Sequence, residues 1–339
     1  MEKVSVIGGG SWGTALAVLL SNNGHNVKIW SVMQDEVDMI NQEREHKLKL
    51  PGVAIPESLV ATSDIEEAVT SASILVFAVP SIYVRSTAKL VKPYITKDHY
   101  VVNVAKGIEE STTFTLVEIL EEELQIPNLA VLSGPSHAEE VGRQIPTTCV
   151  VGSKIKEVAE KIQDTFMNSN FRVYTSSDVV GIELGGALKN VIALAAGISD
   201  GLGFGDNTKA ALMTRGMHEI SVLGQKMGGS LYTFAGLSGI GDLIVTCTSM
   251  HSRNRRCGIL LGKGYTLEEA TKEVQMVVEG VNSAKAAKTL ADKYEVDLPI
   301  IAEVCKVLFE NKPPKEAVLN LMLREKKDEH MNLGWNDEY

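Results

Sequence analysis

Four hydrogen-bond donors follow one another at residues 252–255, where the sequence reads Ser-Arg-Asn-Arg. Guanidinium groups beside a hydroxyl and an amide suit a phosphate group, whose oxygens accept charge-assisted hydrogen bonds. The same residues could instead form a solvated basic face without a ligand. The chain has 33 basic and 43 acidic residues and a net charge of −10, so an anionic substrate has to be held by a local cluster of this kind.

Three further charged side chains stand in unusual surroundings. Lys189 lies within a small and apolar segment, residues 186–203, and Asp242 is flanked by glycines and apolar residues. Burying an ammonium group costs several kcal/mol unless the group is paired or its pKa falls. The alternative for Lys189 is that its ammonium reaches water along the helix surface. Lys106 follows a predicted buried strand, where it is either a site residue or a solvated lysine at the start of a helix.

Near the N-terminus, Gly8, Gly10 and Gly13 match the G-x-G-x-x-G pattern of dinucleotide-binding turns. The pattern is informative only between a strand and a helix, and the residues on either side predict these two elements. Gly8 then permits the turn, Gly10 the approach of a pyrophosphate, and Gly13 close packing of the helix on the strand. The first N–H groups of the helix, at Ser11 and Trp12, would face the anion. The alternative is a glycine-rich turn without a ligand.

Hydrophobic periodicity indicates the elements that must position these residues. Short apolar runs predict buried strands at residues 4–7, 27–30, 74–79, 100–104, 129–132, 147–151 and 171–175. Helices are predicted between them at residues 14–20, 64–71, 84–91, 113–124 and 154–167. This alternation is typical of an α/β protein with a Rossmann-type, doubly wound parallel sheet, which binds ligands beyond the carboxyl ends of its strands.

The second half of the chain has a different character. Strand-like runs cease after about residue 180, and residues 182–201, 208–227 and 267–294 predict long helices. We therefore expect two domains, a dinucleotide-binding domain at residues 1–180 and a mostly α-helical substrate domain at residues 181–339. The charged tail from Arg324 onward is expected to fray.

Composition narrows the class of protein further. With 44% hydrophobic and 22% charged residues the chain resembles an ordinary globular protein, and its negative net charge argues against nucleic-acid binding. Four dispersed cysteines form no C-x-x-C pair and favour reduced, structural thiols. No signal-peptide pattern opens the chain, and the apolar run at residues 191–196 is too short to span a bilayer. These observations predict a cytoplasmic protein without an integral membrane segment.

Taken in order, these stretches resemble one family. The glycine motif, KGIE at residues 106–109, SGPSHA at 133–138, GALKN at 186–190, GIGDL at 239–243 and SRNRR at 252–256 resemble bacterial NAD(P)-dependent glycerol-3-phosphate dehydrogenases. The resemblance runs from Val4 to about residue 312, and the segment 186–203 is far more specific than the glycine motif. It implies an oxidoreductase that interconverts dihydroxyacetone phosphate and sn-glycerol 3-phosphate by hydride transfer and thereby supplies glycerophospholipid synthesis.

The resemblance also implies a role for each matching residue. Lys189 is the general acid/base at the C2 oxygen, Lys106 holds substrate oxygens and helps to lower the pKa of Lys189, and Asp242 orients and partly neutralises both lysines. The implied substrate-binding residues are Lys106, Gly134, Ser136, Lys189, Asn190, Asp242, Ser252, Arg253 and Asn254, the last three as a phosphate clamp. The implied cofactor-binding residues are Gly8, Gly10, Ser11, Trp12, Gly13, Met33, Lys106, Ala138, Arg253, Val277 and Glu279. No metal is expected. His137 and His251 lie next to these motifs in the sequence and are interpreted as residues without a catalytic role. The family implies a homodimer.

The choice of cofactor departs from the usual pattern. An NAD-specific domain places an acid at the end of its second strand, about 20 residues past the glycines, to bind the ribose 2′-hydroxyl. Here Ser31, Val32 and Met33 occupy that position, and Asp35 and Glu36 are expected in the next helix. Nothing there repels a 2′-phosphate and no arginine binds it, although Ser31 and exposed backbone N–H groups could donate one or two hydrogen bonds to it. We expect both NAD and NADP to be accepted, with NADPH preferred by about tenfold.

Two other readings remain open on sequence alone. A hydroxyacyl-CoA or 6-phosphogluconate dehydrogenase shares the two-domain plan, but the hydroxyacyl-CoA enzyme relies on a His–Glu pair rather than on two lysines and an aspartate. A redox-sensing regulator would bind the dinucleotide without turnover. Such a regulator normally carries a DNA-reading module and a basic patch, and neither is evident in this sequence.

Overall fold

The computed structural model, which describes residues 1–326, 328 and 329, is built on an eight-stranded sheet in the first half of the chain. Most of the charged tail that was expected to fray lies outside the described residues. The strands, numbered β1 to β10 in chain order, span Lys3–Ile7, Asn26–Trp30, Glu45–His46, Leu50–Ala54, Val60–Thr62, Ile74–Phe77, Tyr100–Asn103, Leu129–Ser133, Thr147–Gly152 and Phe171–Ser176. All seven predicted strands are confirmed, with end points that differ by one or two residues. The short strand β5 and the separate hairpin of β3 and β4 were not predicted.

The strand order β10-β9-β8-β7-β6-β1-β2-β5 reverses between β1 and β6, which makes the sheet doubly wound. Ligands bind beyond the carboxyl ends of the strands at such a reversal. The predicted parallel sheet is confirmed with one exception, because β9 runs antiparallel to β8. The segment between these two strands contains only the short helix Ala138–Gly142, which packs against the helix Ser11–Asn22 instead of crossing the sheet. The chain therefore re-enters the sheet at the carboxyl end of β8, and β9 runs back in the opposite direction.

Sixteen α-helices occur in the described part of the chain. Numbered α1 to α16, they span Ser11–Asn22, Gln34–Asp38, Ile65–Thr70, Val84–Val91, Leu116–Leu124, Ala138–Gly142, Lys156–Phe166, Val179–Gly201, Asp206–Lys226, Leu231–Phe234, Asp242–Thr248, Arg253–Gly262, Leu267–Val274, Glu279–Tyr294, Pro299–Phe309 and Pro314–Met322. Side-chain caps fix several of their starts. Asp64 accepts a hydrogen bond from the N–H of Glu67 at the start of α3. The helix predicted at residues 113–124 begins only at Leu116, because Thr115 is its N-cap and forms a capping box with Glu118.

The prediction of a single helix at residues 267–294 is wrong. Gln275 adopts a left-handed backbone conformation with φ of +57° and ends α13, and α14 begins at Glu279. A helix end of this kind, with a left-handed residue at the C-cap, depends on local backbone geometry that hydrophobic periodicity does not reveal. Val277 consequently lies in a connecting loop, and Glu279 lies in the first turn of a helix.

Helix α8 is the centre of the helical half of the molecule. It is 23 residues long, is buried along almost its whole length, and packs against α9, α11, α12 and α14. Helix α12 crosses it in backbone contact. A Cβ atom added to Gly197 would lie 2.1 Å from the carbonyl oxygen of Arg255, and one added to Gly258 would lie 2.3 Å from that of Leu194. Only glycine fits at these two positions, so the glycines set the separation of the two helices.

Two stretches, Val179–Gly201 and Leu231–Thr248, are long and apolar enough by composition to cross a membrane. The first stretch is longer than the apolar run at residues 191–196 that the sequence indicated. Of its most apolar 18 residues, 94% are buried inside the protein, as expected of a core helix. The second is not one continuous helix, because Gly239, with φ of −98° and ψ of −106°, interrupts it between α10 and α11. Within the described residues, these features are weak evidence for a membrane-spanning helix.

The four cysteines, expected to be reduced structural thiols, are buried and unpaired. Burial raises the pKa of the Cys149 thiol to about 12 and that of the Cys247 thiol to about 12. Because the thiolate is the reactive form, these cysteines are held in an unreactive state.

Candidate active site

Lys106 and Lys189 donate hydrogen bonds to different oxygens of one buried carboxylate, that of Asp242. Lys106 Nζ lies 2.7 Å from Oδ2, and Lys189 Nζ contacts Oδ1. The three residues come from the loop after β7, from α8 and from the start of α11. Burial alone would raise the pKa of Asp242, but the two ammonium groups outweigh burial and hold that pKa below its usual value. The carboxylate is therefore ionised and binds both cations.

Lys189 does not reach water along the helix surface, which was one of the two interpretations open from the sequence. The residue is 5% exposed, and its Nζ also donates to Thr246 Oγ1 at 2.6 Å. Burial lowers the pKa of Lys189 to about 8, with Asp242 opposing the shift and Lys106 adding to it. A lysine with such a pKa can both donate and accept a proton near neutral pH, unlike an exposed lysine.

The loop after β8 brings a backbone carbonyl to the same place. The carbonyl oxygen of Gly134 accepts hydrogen bonds from Lys106 Nζ at 3.0 Å and from Ser136 Oγ at 2.9 Å. Gly134 has a φ of +139°, and an added Cβ would lie 3.0 Å from the Cα of Cys149. A glycine is therefore required for this loop to lie against Lys106.

The N-terminus of α12 presents the donor-rich segment to this centre. Ser252 is the N-cap and accepts a hydrogen bond from the N–H of Arg255 at 3.2 Å. Asn254 Nδ2 donates to Asn190 Oδ1 at 2.9 Å, and Asn254 Oδ1 accepts from the N–H of Gly280 at 2.9 Å. Asn190 follows the buried lysine of α8, so these amides join the start of α12 to the lysine centre.

The two arginines next to Ser252 have different surroundings. Arg255 donates to Asp200 Oδ2 at 2.8 Å and to the carbonyl oxygen of Thr248 at 2.8 Å, which are contacts within the fold. Arg253 makes no salt bridge with any described residue, and its charge interacts with Glu279 and Glu139 at longer range. Arg253 is therefore available to an anionic ligand, whereas Arg255 is not.

The glycine-rich turn between β1 and α1 has the geometry of a dinucleotide site. Gly8 has a φ of +127°, and a Cβ added to Gly13 would lie 1.9 Å from the carbonyl oxygen of Gly8. No atom lies within 4 Å of the Cβ position of Gly10, so the turn is open where a diphosphate can approach. Helix α1 begins at Ser11, and its first N–H groups face outward at the helix end. The turn therefore fits the diphosphate of a dinucleotide.

Two side chains in the first turn of α1 join the glycine turn to its neighbours. Trp12 Nε1 donates to the carbonyl oxygen of Val104 at 3.2 Å, two residues before the lysine of the loop after β7. Ser11 Oγ donates to the carbonyl oxygen of Lys49 at 2.6 Å, in the hairpin of β3 and β4. Ala138 begins α6, which packs on α1. The predicted cofactor residues Ser11, Trp12 and Ala138 thus lie close to one another around the start of α1.

Glu279 links the helical half to the edge of the sheet. One carboxylate oxygen accepts a hydrogen bond from the N–H of Ser81 at 3.0 Å, and the other accepts from the Ser81 hydroxyl. Ser81 follows β6, beside the reversal of strand order. A Cβ added to Gly107 would lie 2.4 Å from the Cβ of Ser81, so the loop after β7 packs against the same serine. Burial raises the pKa of Glu279. Val277 lies two residues earlier, in the loop between α13 and α14.

The residues after β2 differ in part from expectation. Met33 is 54% exposed, and Asp35 and Glu36 lie in α2 as predicted. Ser31 is only 4% exposed, donates to Glu36 Oε2 at 2.5 Å and accepts from the N–H of Met33 at 3.2 Å. The expected hydrogen bond from Ser31 to a 2′-phosphate is therefore wrong, because its hydroxyl is already used inside the protein.

Sequence reasoning missed two residues of this site: Thr246 and Lys49. Thr246 lies four residues after Asp242 on one face of α11, and that spacing could have indicated it. Lys49 approaches from a distant part of the chain, and no local pattern marks it. Ser81 ends the stretch AVPS at residues 78–81, whose place after a buried strand does predict a position at the ligand-binding end of the sheet. The functions assigned to the sequence-predicted residues remain predictions.

A dinucleotide-type turn on a doubly wound sheet, together with a buried Lys189 and Asp242 in the helical half that meet Lys106 from the loop after β7, defines the class of NAD(P)-dependent dehydrogenases. Residues 3–159 match the family model for the NAD-dependent glycerol-3-phosphate dehydrogenase N-terminus, and residues 178–319 match that for its C-terminus. The chain belongs to the NAD-dependent glycerol-3-phosphate dehydrogenase family and is an NAD(P)-dependent oxidoreductase.

Known relatives agree with this placement. A protein of Agathobacter rectalis is 59% identical over 335 residues, covering 99% of this chain and 100% of the relative. A protein of Fusobacterium nucleatum is 60% identical over 329 residues, covering 96% of this chain and 98% of the relative. Both are named glycerol-3-phosphate dehydrogenase [NAD(P)+]. The crystal structure of glycerol-3-phosphate dehydrogenase from Coxiella burnetii superposes with a TM-score of 0.92 at 36% identity, over 95% of this chain and 99% of that one. The expected family and fold class are confirmed.

Proposed function

We propose that this protein interconverts dihydroxyacetone phosphate and sn-glycerol 3-phosphate with NAD(P). The observation that carries the proposal is the arrangement of the lysine pair on Asp242 beside Asn190, which joins it to the arginine-bearing start of α12. A ketone with a phosphate group needs both the lysine pair and the start of α12. The carbonyl end of the molecule reacts, and the phosphate end carries the negative charge.

Lys189 transfers the proton in this reaction. During reduction a C–H bond forms at C2, and negative charge develops on the C2 oxygen. The Lys189 ammonium gives a proton to that oxygen and becomes a neutral amine, and during oxidation the amine removes the proton again. A pKa of about 8 suits both directions. Lys106 stabilises the developing negative charge on the oxygen, and Asp242 holds the two lysines in place.

The N-terminus of α12 binds the phosphate group. Arg253 offers a planar guanidinium to its oxygens, and Asn254 and the capped backbone around Ser252 add hydrogen-bond donors at a helix N-terminus. Gly134 and Ser136 line the side of the substrate next to Lys106. The net charge of −10 makes such a local cluster necessary.

A bound NADPH or NADH supplies the hydride for reduction, and its oxidised form accepts it in the reverse direction. The open turn at Gly8, Gly10 and Gly13 and the N–H groups of Ser11 and Trp12 hold the diphosphate. The remaining proposed contacts to the dinucleotide come from Met33, Lys106, Ala138, Arg253, Val277 and Glu279.

We also propose a division of the chain into a dinucleotide-binding domain at residues 1–180 and a helical substrate domain at residues 181–339. In support, the last strand ends at Ser176 and α8 begins at Val179. We propose that the protein is a cytoplasmic homodimer and that its product, sn-glycerol 3-phosphate, supplies glycerophospholipid synthesis. Light scattering on the purified protein tests the oligomeric state directly.

Steady-state assays of the purified protein test the activity. NADPH and NADH oxidation is measured with dihydroxyacetone phosphate and with acetoacetyl-CoA, and NADP⁺ reduction is measured with 6-phosphogluconate. Turnover is expected with dihydroxyacetone phosphate and not with the other two, and Lys189→Met serves as the inactive control. Turnover with acetoacetyl-CoA or 6-phosphogluconate instead would contradict the proposal.

A further inference from the structure

The adenosine end of a dinucleotide lies between the glycine turn and the end of the second strand in this type of domain. The segment after β2 offers no cation there, because it contributes Ser31, Val32 and Met33. A charged group, the carboxylate of Glu36, nevertheless lies between the glycine turn and the end of β2. A Cβ atom added to Gly9 would lie 2.9 Å from Oε2 of Glu36. The carboxylate of Glu36 therefore lies directly against the glycine turn.

Glu36 is held within the protein rather than presented to solvent. Its side chain is 10% exposed, and Oε2 accepts the hydrogen bond from Ser31. Oε1 accepts a hydrogen bond from Lys49 Nζ, and His46 Nε2 lies 4.0 Å away from the same oxygen. Burial lowers the pKa of His46, so the imidazole is neutral and Lys49 is the cation that balances Glu36.

Lys49 reaches this place from a different part of the chain. It lies in the hairpin of β3 and β4, and its carbonyl oxygen accepts the hydrogen bond from Ser11 of the glycine turn at 2.6 Å. Its backbone is thereby fixed beside the diphosphate site, while its ammonium points to the end of β2. The Lys49 side chain is 37% exposed and that of Glu36 is 10% exposed, so the ammonium lies between the carboxylate and solvent.

We propose that Lys49 selects the cofactor: its ammonium binds the 2′-phosphate of NADPH, and its pairing with Glu36 prevents the carboxylate from repelling that phosphate. The inference rests on dinucleotide binding as part of the proposed function. An exposed cation that is already oriented by a buried carboxylate forms a charge-assisted hydrogen bond to phosphate without a large loss of side-chain freedom. NADH binds to the same site without this contact, which leaves both cofactors usable.

Calorimetric titration with adenosine 2′,5′-bisphosphate and with AMP, which differ only in the 2′-phosphate, tests the inference without substrate or turnover. In the wild-type protein the bisphosphate is expected to bind about tenfold more tightly than AMP, as one charge-assisted hydrogen bond allows. Lys49→Met removes the cation and leaves Glu36 unpaired, so the ratio of the two Kd values is expected to fall to one or to invert. Lys49→Arg keeps a cation and is expected to retain the preference.

Two further variants separate the roles of the pair. Glu36→Gln frees Lys49 and removes a negative charge, so the preference for the bisphosphate is expected to persist or to increase. Lys47→Met is the matched control, because Lys47 lies in the same hairpin, is 60% exposed and pairs with Glu43 instead. Its ratio is expected to equal that of the wild type.

Each outcome decides the inference. A Lys49→Met protein that binds both fragments with the wild-type ratio overturns cofactor selection by Lys49 and leaves the proposed dehydrogenase activity intact. A wild-type protein that binds neither fragment overturns the inference together with dinucleotide binding at the glycine turn.

Discussion

Lys189 donates a hydrogen bond to Oδ1 of Asp242 across 53 positions of sequence, and the contact is buried. The other oxygen of the same carboxylate remains available to Lys106. One carboxylate thus balances two ammonium groups, and the centre keeps a net positive charge when both lysines are protonated. A positive centre of this kind stabilises an oxyanion that forms beside it.

The first prediction concerns the proton-transfer group. Lys189→Met keeps the length of the side chain and removes its amine, so kcat is expected to fall by at least about 10²-fold, the usual scale of general acid–base catalysis. The Kd of NADPH, measured by fluorescence titration, is expected to change little. A variant with nearly normal turnover would show that Lys189 does not transfer the proton.

The second prediction is a dependence on pH in opposite senses for the two directions. Reduction requires the Lys189 ammonium and oxidation requires its amine, and the pKa is about 8 in the free protein. The value of kcat/KM for dihydroxyacetone phosphate is therefore expected to fall above about pH 8, while that for sn-glycerol 3-phosphate rises up to the same pH.

Thr246 offers a control for that assignment. Its hydroxyl accepts a hydrogen bond from the Lys189 ammonium, which favours the charged form. Thr246→Val is expected to lower the pKa of Lys189 and to move both profiles toward acid pH. Profiles that keep their wild-type midpoint in this variant would assign the titration to another group.

The third prediction concerns the phosphate clamp. Arg253→Ala is expected to raise KM for dihydroxyacetone phosphate strongly, and added guanidinium ion, which replaces the lost cation, is expected to restore part of the activity. Arg253→Lys is also expected to be poor, because a point charge does not reproduce the planar fork of a guanidinium. Lys263→Ala, an exposed cation at the other end of α12, is the control. Unchanged KM values in both Arg253 variants would show that residues 252–255 form a solvated basic face and not a phosphate site.

The fourth prediction concerns the loop that carries Lys106. Arg85 donates to both oxygens of Glu109 at 2.8 Å, and Glu109 lies three residues after that lysine. Arg85→Met is expected to lower kcat by about tenfold through misplacement of Lys106, with a smaller change in KM for the cofactor. Arg85→Lys is expected to recover part of the loss, and Lys89→Met on the same helix is expected to be neutral. Equal losses in Arg85→Met and Lys89→Met would indicate general damage to α4.

The fifth prediction concerns stability. Glu219 is buried, accepts hydrogen bonds from the N–H groups of Ile300 and Ile301, and burial raises its pKa to about 7. The folded protein then binds a proton more tightly than the unfolded chain, so this stabilisation is complete below about pH 4 and is lost as the pH rises through about 7. The loss is on the order of 3 kcal/mol.

Urea unfolding at pH 5 and pH 8 measures this effect. The decrease in unfolding free energy between the two pH values is expected to be smaller in Glu219→Gln than in the wild type. Glu57→Gln, at an exposed position, is expected to show the wild-type difference. The same difference in all three proteins would mean that Glu219 titrates as an ordinary carboxyl group.

The sequence allowed most of the sheet to be predicted, because buried parallel strands are short apolar runs that need no distant partner to be recognised. The glycine motif was interpretable for the same reason, since Gly8, Gly10 and Gly13 act within one turn. The antiparallel direction of β9 was not predicted, because it depends on where the preceding helix α6 packs. The break at Gln275 was missed because it is a conformation of one residue and leaves the apolar pattern intact.

In the site, too, residues in local motifs could be predicted and residues paired over long distances in the sequence could not. The family motifs marked the lysines, Asp242 and the start of α12, each of which lies in a distinctive local sequence. Glu36 and Lys49 form a pair over 13 residues, and Ser81 and Glu279 form one over 198. Contacts of this length are properties of the folded chain. The sequence after β2 therefore predicted a hydroxyl donor where the structure has a carboxylate covered by a lysine.

The backbone contact of α8 with α12 at Gly197 and Gly258 also sets the distance between the two ends of the proposed substrate site. Lys189 lies on α8 and Arg253 begins α12, so the spacing between the proton-transfer group and the phosphate clamp is fixed where the two helices touch. No residue is smaller than glycine, so a substitution at either position can only move the two helices apart.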